Sequence, residues 1–154
     1  MKALPIVWQR LLDDQGGTCP RCEATGAALR RALERLDAVF GPMGLRPELQ
    51  TRTLDPAACR QAAQASNLIL IAGRPLDEWL GGQPGSSPCC GACDGRTCRT
   101  LELDGHSYEA IPEELLVRAG ITAGVRLLEA NATSASPSER AGSCQPANSS
   151  GCCY

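Results

Sequence analysis

The sequence predicts an α/β fold with strands and helices in alternation, and three observations carry that reading. Leu4, Ile6 and Trp8 alternate with more polar neighbours, and a helical repeat then starts at Pro20. Leu68-Ile69-Leu70-Ile71 is a short apolar run bounded by turn residues, the form of a buried strand. Asp104-Gly105 joins two short strands ahead of a last helix opened by Pro112. In order, the elements read β, α, β, α, then a ββ pair, then α.

The first strand is broken by Gly16-Gly17, and a helix follows. Leu29, Leu33, Leu36 and Phe40 recur at i, i+4, i+7 and i+11 and line one face of it, until Gly41-Pro42 ends it. Pro20 suits the first helical position, because its fixed φ fits there and its missing N–H has no intrahelical partner anyway. Thr18-Cys19-Pro20-Arg21-Cys22 therefore opens the helix, with Cys19 at the N-cap and Cys22 one turn in. A helix N-terminus carries unsatisfied N–H groups and partial positive charge, and Arg21 adds a full one. Both favour a thiolate at Cys19, the form in which sulfur attacks disulfides or binds metals.

Arg30, Arg31 and Arg35 are interleaved with Glu34 and Asp37 and read as a solvated face. A second strand is expected over 45–54, either at a sheet edge or beginning late because of Pro47. Asp55-Pro56 supplies an N-cap and first position for a short helix over 57–65, in which Cys59 reads as a small buried hydrophobe. The strand at 68–71 turns at Ala72-Gly73. Strands at 101–103 and 107–110 pair across Asp104-Gly105, which makes His106 a strand residue rather than a ligand. The final helix should run from Pro112 to about Leu128 with Leu115, Leu116, Ala119 and Val125 on its apolar side.

With 154 residues, 43% of them apolar, the chain can bury a core without staples, and two Trp, two Tyr and one Phe leave that core to aliphatic side chains. One domain is expected over 1–130. The segment 131–154 is rich in Ser, Ala, Asn and Pro and reads as a disordered tail. A net charge of −2 and interleaved arginines argue against a nucleic-acid surface. No apolar run has the length of a membrane span or a secretion-signal core, so no membrane insertion and a cytoplasmic location are expected. In a reducing compartment, ten cysteines speak for metal binding or redox chemistry rather than a disulfide framework. With His106 the single histidine, a zinc site would need thiolates throughout.

The second group of cysteines, Cys89, Cys90 and Cys93 with Cys98 beyond, lies in a stretch over 81–99 whose Gly, Pro and Ser content reads as an inserted irregular loop. The Cα atoms of neighbouring residues are about 3.8 Å apart across a trans peptide, short of the roughly 4.4–6.8 Å a disulfide prefers. Cys89 and Cys90 are better used as two separate thiolates for a soft metal ion. The tail adds Cys144 and the pair Cys152-Cys153, thiols with no packing role.

This order of elements, with a CxxC between the first strand and first helix, resembles the thioredoxin fold: βαβα-ββα with a Cys-rich loop insertion and a disordered C-terminal tail. The segment from Ser66 to Arg74 is similar to the stretch that follows the second helix in that fold. The resemblance implies a cis-proline facing the dithiol, and Asn67 stands in its place, which counts against ordinary disulfide exchange. CPRCEATG, GRPLDEWLG, SSPCCGAC and AIPEELLVRAG together resemble an uncharacterised bacterial family of thioredoxin-like proteins, a domain of unknown function, over roughly Pro5 to Leu128. The ending Ser150-Gly151-Cys152-Cys153 resembles those of mercuric reductases and of the arsenite metallochaperone.

Three readings follow. The foremost is binding and transfer of soft metal or metalloid ions of the As(III)/Hg(II) class by Cys19, Cys22, Cys89, Cys90, Cys93, Cys98, Cys152 and Cys153, since thiolates select such ions by softness. The second is a thiol-disulfide oxidoreductase acting on a partner protein, in which Cys19 attacks and Cys22 resolves. The third is an adaptor stabilised by a structural four-thiolate zinc ion.

Overall fold

The structure is a computed structural model that describes residues 1–12, 16–54, 65–88 and 97–134. Strand β1 (Lys2–Leu11) buries Leu4, Ile6, Trp8 and Leu11. Helix α1 (Pro20–Phe40) buries Leu29, Ala32, Leu36 and Phe40, with Leu33 packed at the margin, and passes through a short 3-10 turn at Gly41–Met43. Strand β2 (Leu45–Leu54) pairs with β1 in parallel, from Lys2 opposite Leu45 to Leu11 opposite Leu54. Parallel neighbours need a crossover, which α1 provides. Strand β3 (Leu68–Ile71) runs antiparallel to β1, placing Ile6 opposite Ile71, and turns at Ala72-Gly73 into the short β4 (Arg74–Pro75). The sheet order is β2-β1-β3-β4, with β2 at an edge where Pro47 is tolerated. The fold is thioredoxin-like, as the order of elements implied.

Helix α2 (Leu76–Leu80) leads into a second sheet, an antiparallel meander of β5 (Gln83–Pro88), β6 (Thr97–Leu103) and β7 (His106–Tyr108). Asp104 and Gly105 both have positive φ, 51° and 79°, the backbone a two-residue hairpin turn requires. Helix α3 (Glu113–Ser134) then packs on α1. Arg31 and Arg35 reach Glu113, Leu36 lies against Gly120, and Phe40 lies against Gly124, so the two helices run side by side in the same direction. A Cβ on Gly120 or Gly124 would collide with Leu36 or with the Phe40 ring.

Several expectations change. The strands around Asp104-Gly105 belong to the second sheet, and β3 pairs on its other side from β1 with Arg74–Pro75. Gln83–Pro88 is a strand rather than irregular loop, because the β-prone run Thr97–Leu103 gives it a ladder and an edge strand accommodates Pro84 and Pro88. Gly85 is needed there: a Cβ would stand 2.6 Å from the Thr100 Oγ1. Val125 is exposed, since the buried stripe of α3 runs through Leu116, Ala119, Gly120, Ala123 and Gly124. Helix α3 continues past Leu128 to Ser134, where Asn131 accepts a hydrogen bond from the Lys2 ammonium. Arg31 and Arg35 are exposed as expected but serve as ion-pair partners of α3. The helix expected over 57–65, with Cys59, lies almost wholly outside the described residues, as do Cys89, Cys90, Cys93 and everything from 135 onward, including Cys144, Cys152 and Cys153.

Candidate functional site

Cys19 is the N-cap of α1, with extended backbone at φ −70° and ψ 158°, and Pro20 opens the helix behind it. The Cys19 carbonyl accepts the first intrahelical bond from the Glu23 amide at 3.0 Å. This places Cys19 at the positive end of a long helix and Cys22 one turn further. Both cysteines carry thiols, and both are buried, at 3% and 2% exposure. A disulfide carried on another protein must bring two chains and its own sulfur to the nucleophile, so such burial favours smaller reactants.

Arg21, between the two thiols in sequence, fixes what lies beside them. Its guanidinium donates to the Ser87 hydroxyl at 2.6 Å and to the Pro88 carbonyl at 2.8 Å, and it pairs with the Glu109 carboxylate at 2.9 Å. The Ser87 hydroxyl in turn donates to Glu109 at 3.2 Å. The helix start is thereby tied to the end of β5 and to the segment after β7. The Arg21 guanidinium is engaged by Glu109, and the helix terminus adds its own positive end at Cys19.

Cys98 reaches the same neighbourhood through strand pairing. It stands directly opposite Ser87 in the β5–β6 ladder, and cross-strand partners project from the same face. Cys98 is buried, belongs to the core cluster that contains Cys19 and Cys22, and is disulfide-bonded. Neither Cys19 nor Cys22 is its bonding partner, since both are thiols. A disulfide sulfur is not a thiolate, so Cys98 can serve as a metal ligand only after reduction. Among the described residues, no three His, Cys, Asp or Glu side chains are grouped so as to hold a metal ion. Pro88 is the last described residue before Cys89, so the Arg21 bridge holds the chain at the point where the Cys-rich segment begins.

Asn67, at the position where the thioredoxin resemblance implied a proline, lies at the start of β3 with φ 57°, a left-handed conformation that Asn tolerates better than most residues. No peptide bond among the described residues is cis. The Asn67 amide oxygen accepts from the Trp8 indole at 3.2 Å, and its nitrogen donates to the Glu109 carbonyl at 3.4 Å. Asn67 thus positions the residue whose carboxylate holds Arg21. Ser66 beside it is fully buried, with a hydroxyl that has no partner among the described residues. Thr25, one turn past Cys22, accepts a hydrogen bond from the Ile111 amide at 3.2 Å and joins the helix to the entry of α3. Thr25 and Ser87 lie inside the segments CPRCEATG and SSPCCGAC, Trp8 in the alternating first strand and Glu109 in neither, and only contact reveals the part each plays. His106 is an exposed strand residue beside Tyr108, as expected.

No helix among the described residues is long and apolar enough to cross a membrane. No solved structure matches this chain. An uncharacterized protein of Archaeoglobus fulgidus is 35% identical over 113 residues, covering 73% of this chain and 82% of its own. Similarity thus extends to an archaeal protein, beyond the bacterial range expected from the motifs. The comparison that places the chain is with family models: residues 4–120 match the one described as Domain of unknown function (DUF2703), a span that includes the dithiol, Asn67, the Arg21 bridge and Cys98, and the chain belongs to that family.

Proposed function

We propose that the protein binds and transfers soft, thiol-seeking ions of the As(III)/Hg(II) class on the Cys19–Cys22 dithiol. The observation that carries this reading is the burial of both thiols at the start of α1, beside the strand end held by Arg21. An ion with two or three sulfur ligands needs only a narrow approach, and thiolates choose it by softness. Cys89, Cys90 and Cys93 would enter as further donors, Cys98 once reduced, and Cys152 and Cys153 as thiols that deliver the ion by exchange. The test is native mass spectrometry of reduced protein titrated with arsenite or Hg(II), in the wild type and in Cys19→Ser/Cys22→Ser. Uptake that depends on the two cysteines is expected. Vigorous insulin-disulfide reduction by the same pair, with no ion retained, would overturn the reading.

A second reading is disulfide exchange with a partner protein. The thiol state of Cys19 and Cys22 at a helix start favours it, while their burial and the trans, left-handed Asn67 weigh against a groove for an extended substrate. Retention of zinc through four masked thiols in protein purified without oxygen would instead point to a structural metal.

A further inference from the structure

We infer that the outer edge of β2 is where two copies of this chain join, antiparallel and strand to strand, with Gln50 on the two-fold axis. This is independent of the dithiol and of any ion. Strand β2 is ten residues long and bounds one side of the β2-β1-β3-β4 sheet, and among the described residues no strand pairs with its outer edge. Residues 48–53 are all exposed. The Lys2 amide donates to the Gly44 carbonyl at 2.9 Å, and backbone groups alternate in direction along a strand, so the even-numbered residues of β2 bond to β1. Leu49, Thr51 and Thr53 therefore turn their N–H and C=O groups outward, and Pro47 offers a carbonyl alone. Such a row is a template for another strand.

Symmetry and charge select the occupant and the register. Two identical edges related by a two-fold axis run antiparallel, and the outward groups admit an axis at Leu49, Gln50 or Thr51. An axis at Leu49 sets Arg46 opposite Arg52, a like-charge clash, and an axis at Thr51 sets Glu48 opposite Leu54. With Gln50 on the axis, Glu48 of each copy stands opposite Arg52 of the other, at positions without ladder bonds, where side chains come closest. Four residues of strand span about 13 Å, so Glu48 and Arg52 of one copy cannot reach each other. Neither has an ion-pair partner among the described residues. In this register Leu49 and Thr51 exchange both backbone bonds, and the Pro47 carbonyl accepts from Thr53 with no need of the N–H that proline lacks. Leu49, a large apolar side chain at 36% exposure, is covered by the second copy.

The experiment uses the full chain in excess reductant, which removes disulfide-linked dimers, and follows mass by sedimentation across a concentration series. A concentration-dependent dimer is expected, and a monomer at every concentration overturns the inference. Arg52→Glu, at an exposed position, sets like charges opposite each other twice and should raise the dissociation constant at least roughly tenfold, while Glu48→Arg/Arg52→Glu should restore it. A dimer indifferent to Arg52→Glu overturns the inference. Gln50→Cys reads the axis directly. Opposite residues without ladder bonds have Cα atoms about 4.5 Å apart, inside the disulfide range, so mild oxidation without reductant should link position 50 of one copy to position 50 of the other in peptide maps. Leu49→Cys stands diagonal to itself at about 7–8 Å and should not self-link. Linkage through position 49 and not through position 50 overturns the inference.

Discussion

Arg21 and Glu109 stand 2.9 Å apart across the join between helix α1 and the second sheet, and their pairing gives Arg21 a structural role that its place in the motif did not announce. The guanidinium is largely sheltered while the carboxylate is about half exposed, at 16% and 51%. Together with the bonds to Ser87 and Pro88, it works as a latch. Arg21→Ala should open it, raising the rate at which iodoacetamide labels Cys19 in the native state by about tenfold, equivalent to roughly 1.4 kcal/mol less protection. The stability cost should be only about 1 kcal/mol by urea unfolding, given how exposed Glu109 is. An unchanged labelling rate would show that burial of the dithiol does not depend on the latch.

Restoring the proline that a thioredoxin-like oxidoreductase carries should harm this protein. Asn67 has φ 57°, whereas proline is locked near −65°, so Asn67→Pro must distort the start of β3 and give up the bonds from Trp8 and to Glu109. A loss of about 3 kcal/mol or more is expected. Asn67→Gly accepts the same backbone and forfeits only the side-chain bonds, at about 1–2 kcal/mol. Equal destabilisation by the two substitutions in chemical denaturation would contradict this.

What could be read in the sequence was whatever had a local period. Leu4, Ile6 and Trp8, the face from Leu29 to Phe40, the span 45–54 and the Asp104-Gly105 turn each announce themselves within a few residues, and each lies where expected. The latch was illegible because Arg21 meets Ser87 across 66 residues, and neither residue type is unusual on its own. Strand β5 was hidden for a different reason. Gln83-Pro84-Gly85-Ser86-Ser87-Pro88 has no alternation and is a strand only because β6 pairs with it. Val125 misled because the close approach of α1 and α3 selects glycine for the buried stripe, so a larger apolar residue falls on the outer side.

That close approach is itself testable. In an exposed helix, Gly→Ala gains up to about 1 kcal/mol from propensity. At Gly124 the added methyl would run into the Phe40 ring, and at Gly120 into Leu36. Gly124→Ala should therefore lower the Tm, with a net cost of about 1–3 kcal/mol as the helices are forced apart. A raised Tm would mean that the interface yields freely.

Glu113 at the first turn of α3 is held below the usual carboxylate range, chiefly by its hydrogen bond from Arg31, with Arg35 adding to the effect. A carboxylate with a depressed folded-state pKa adds stability that is present above its unfolded pKa and is lost as pH falls through the folded value. Stability should therefore decline on acidification, and Glu113→Gln should flatten that part of the curve while leaving its shape near neutrality unchanged. Parallel acid limbs for the two proteins in pH-dependent denaturation would remove Glu113 from the account.

Trp8 offers a direct view of ligand at the dithiol. Its ring packs against Gly26, where a Cβ would lie 2.6 Å from the indole, and Gly26 is one turn beyond Cys22 on the same buried side of α1. Its indole N–H is bonded to Asn67, so the ring also reports on β3. Trp79, on α2, is bonded to the Ile71 carbonyl instead, and Trp79→Phe leaves Trp8 as the single indole. In that background, a trivalent arsenical that bridges Cys19 and Cys22 should change the Trp8 emission and saturate at one equivalent. The change should vanish in Cys19→Ser/Cys22→Ser, whose buried thiols are gone. A signal that persists without the two cysteines would move the binding site elsewhere in the chain. An arsenical retained with no change in Trp8 emission would place it on sulfurs remote from the start of α1.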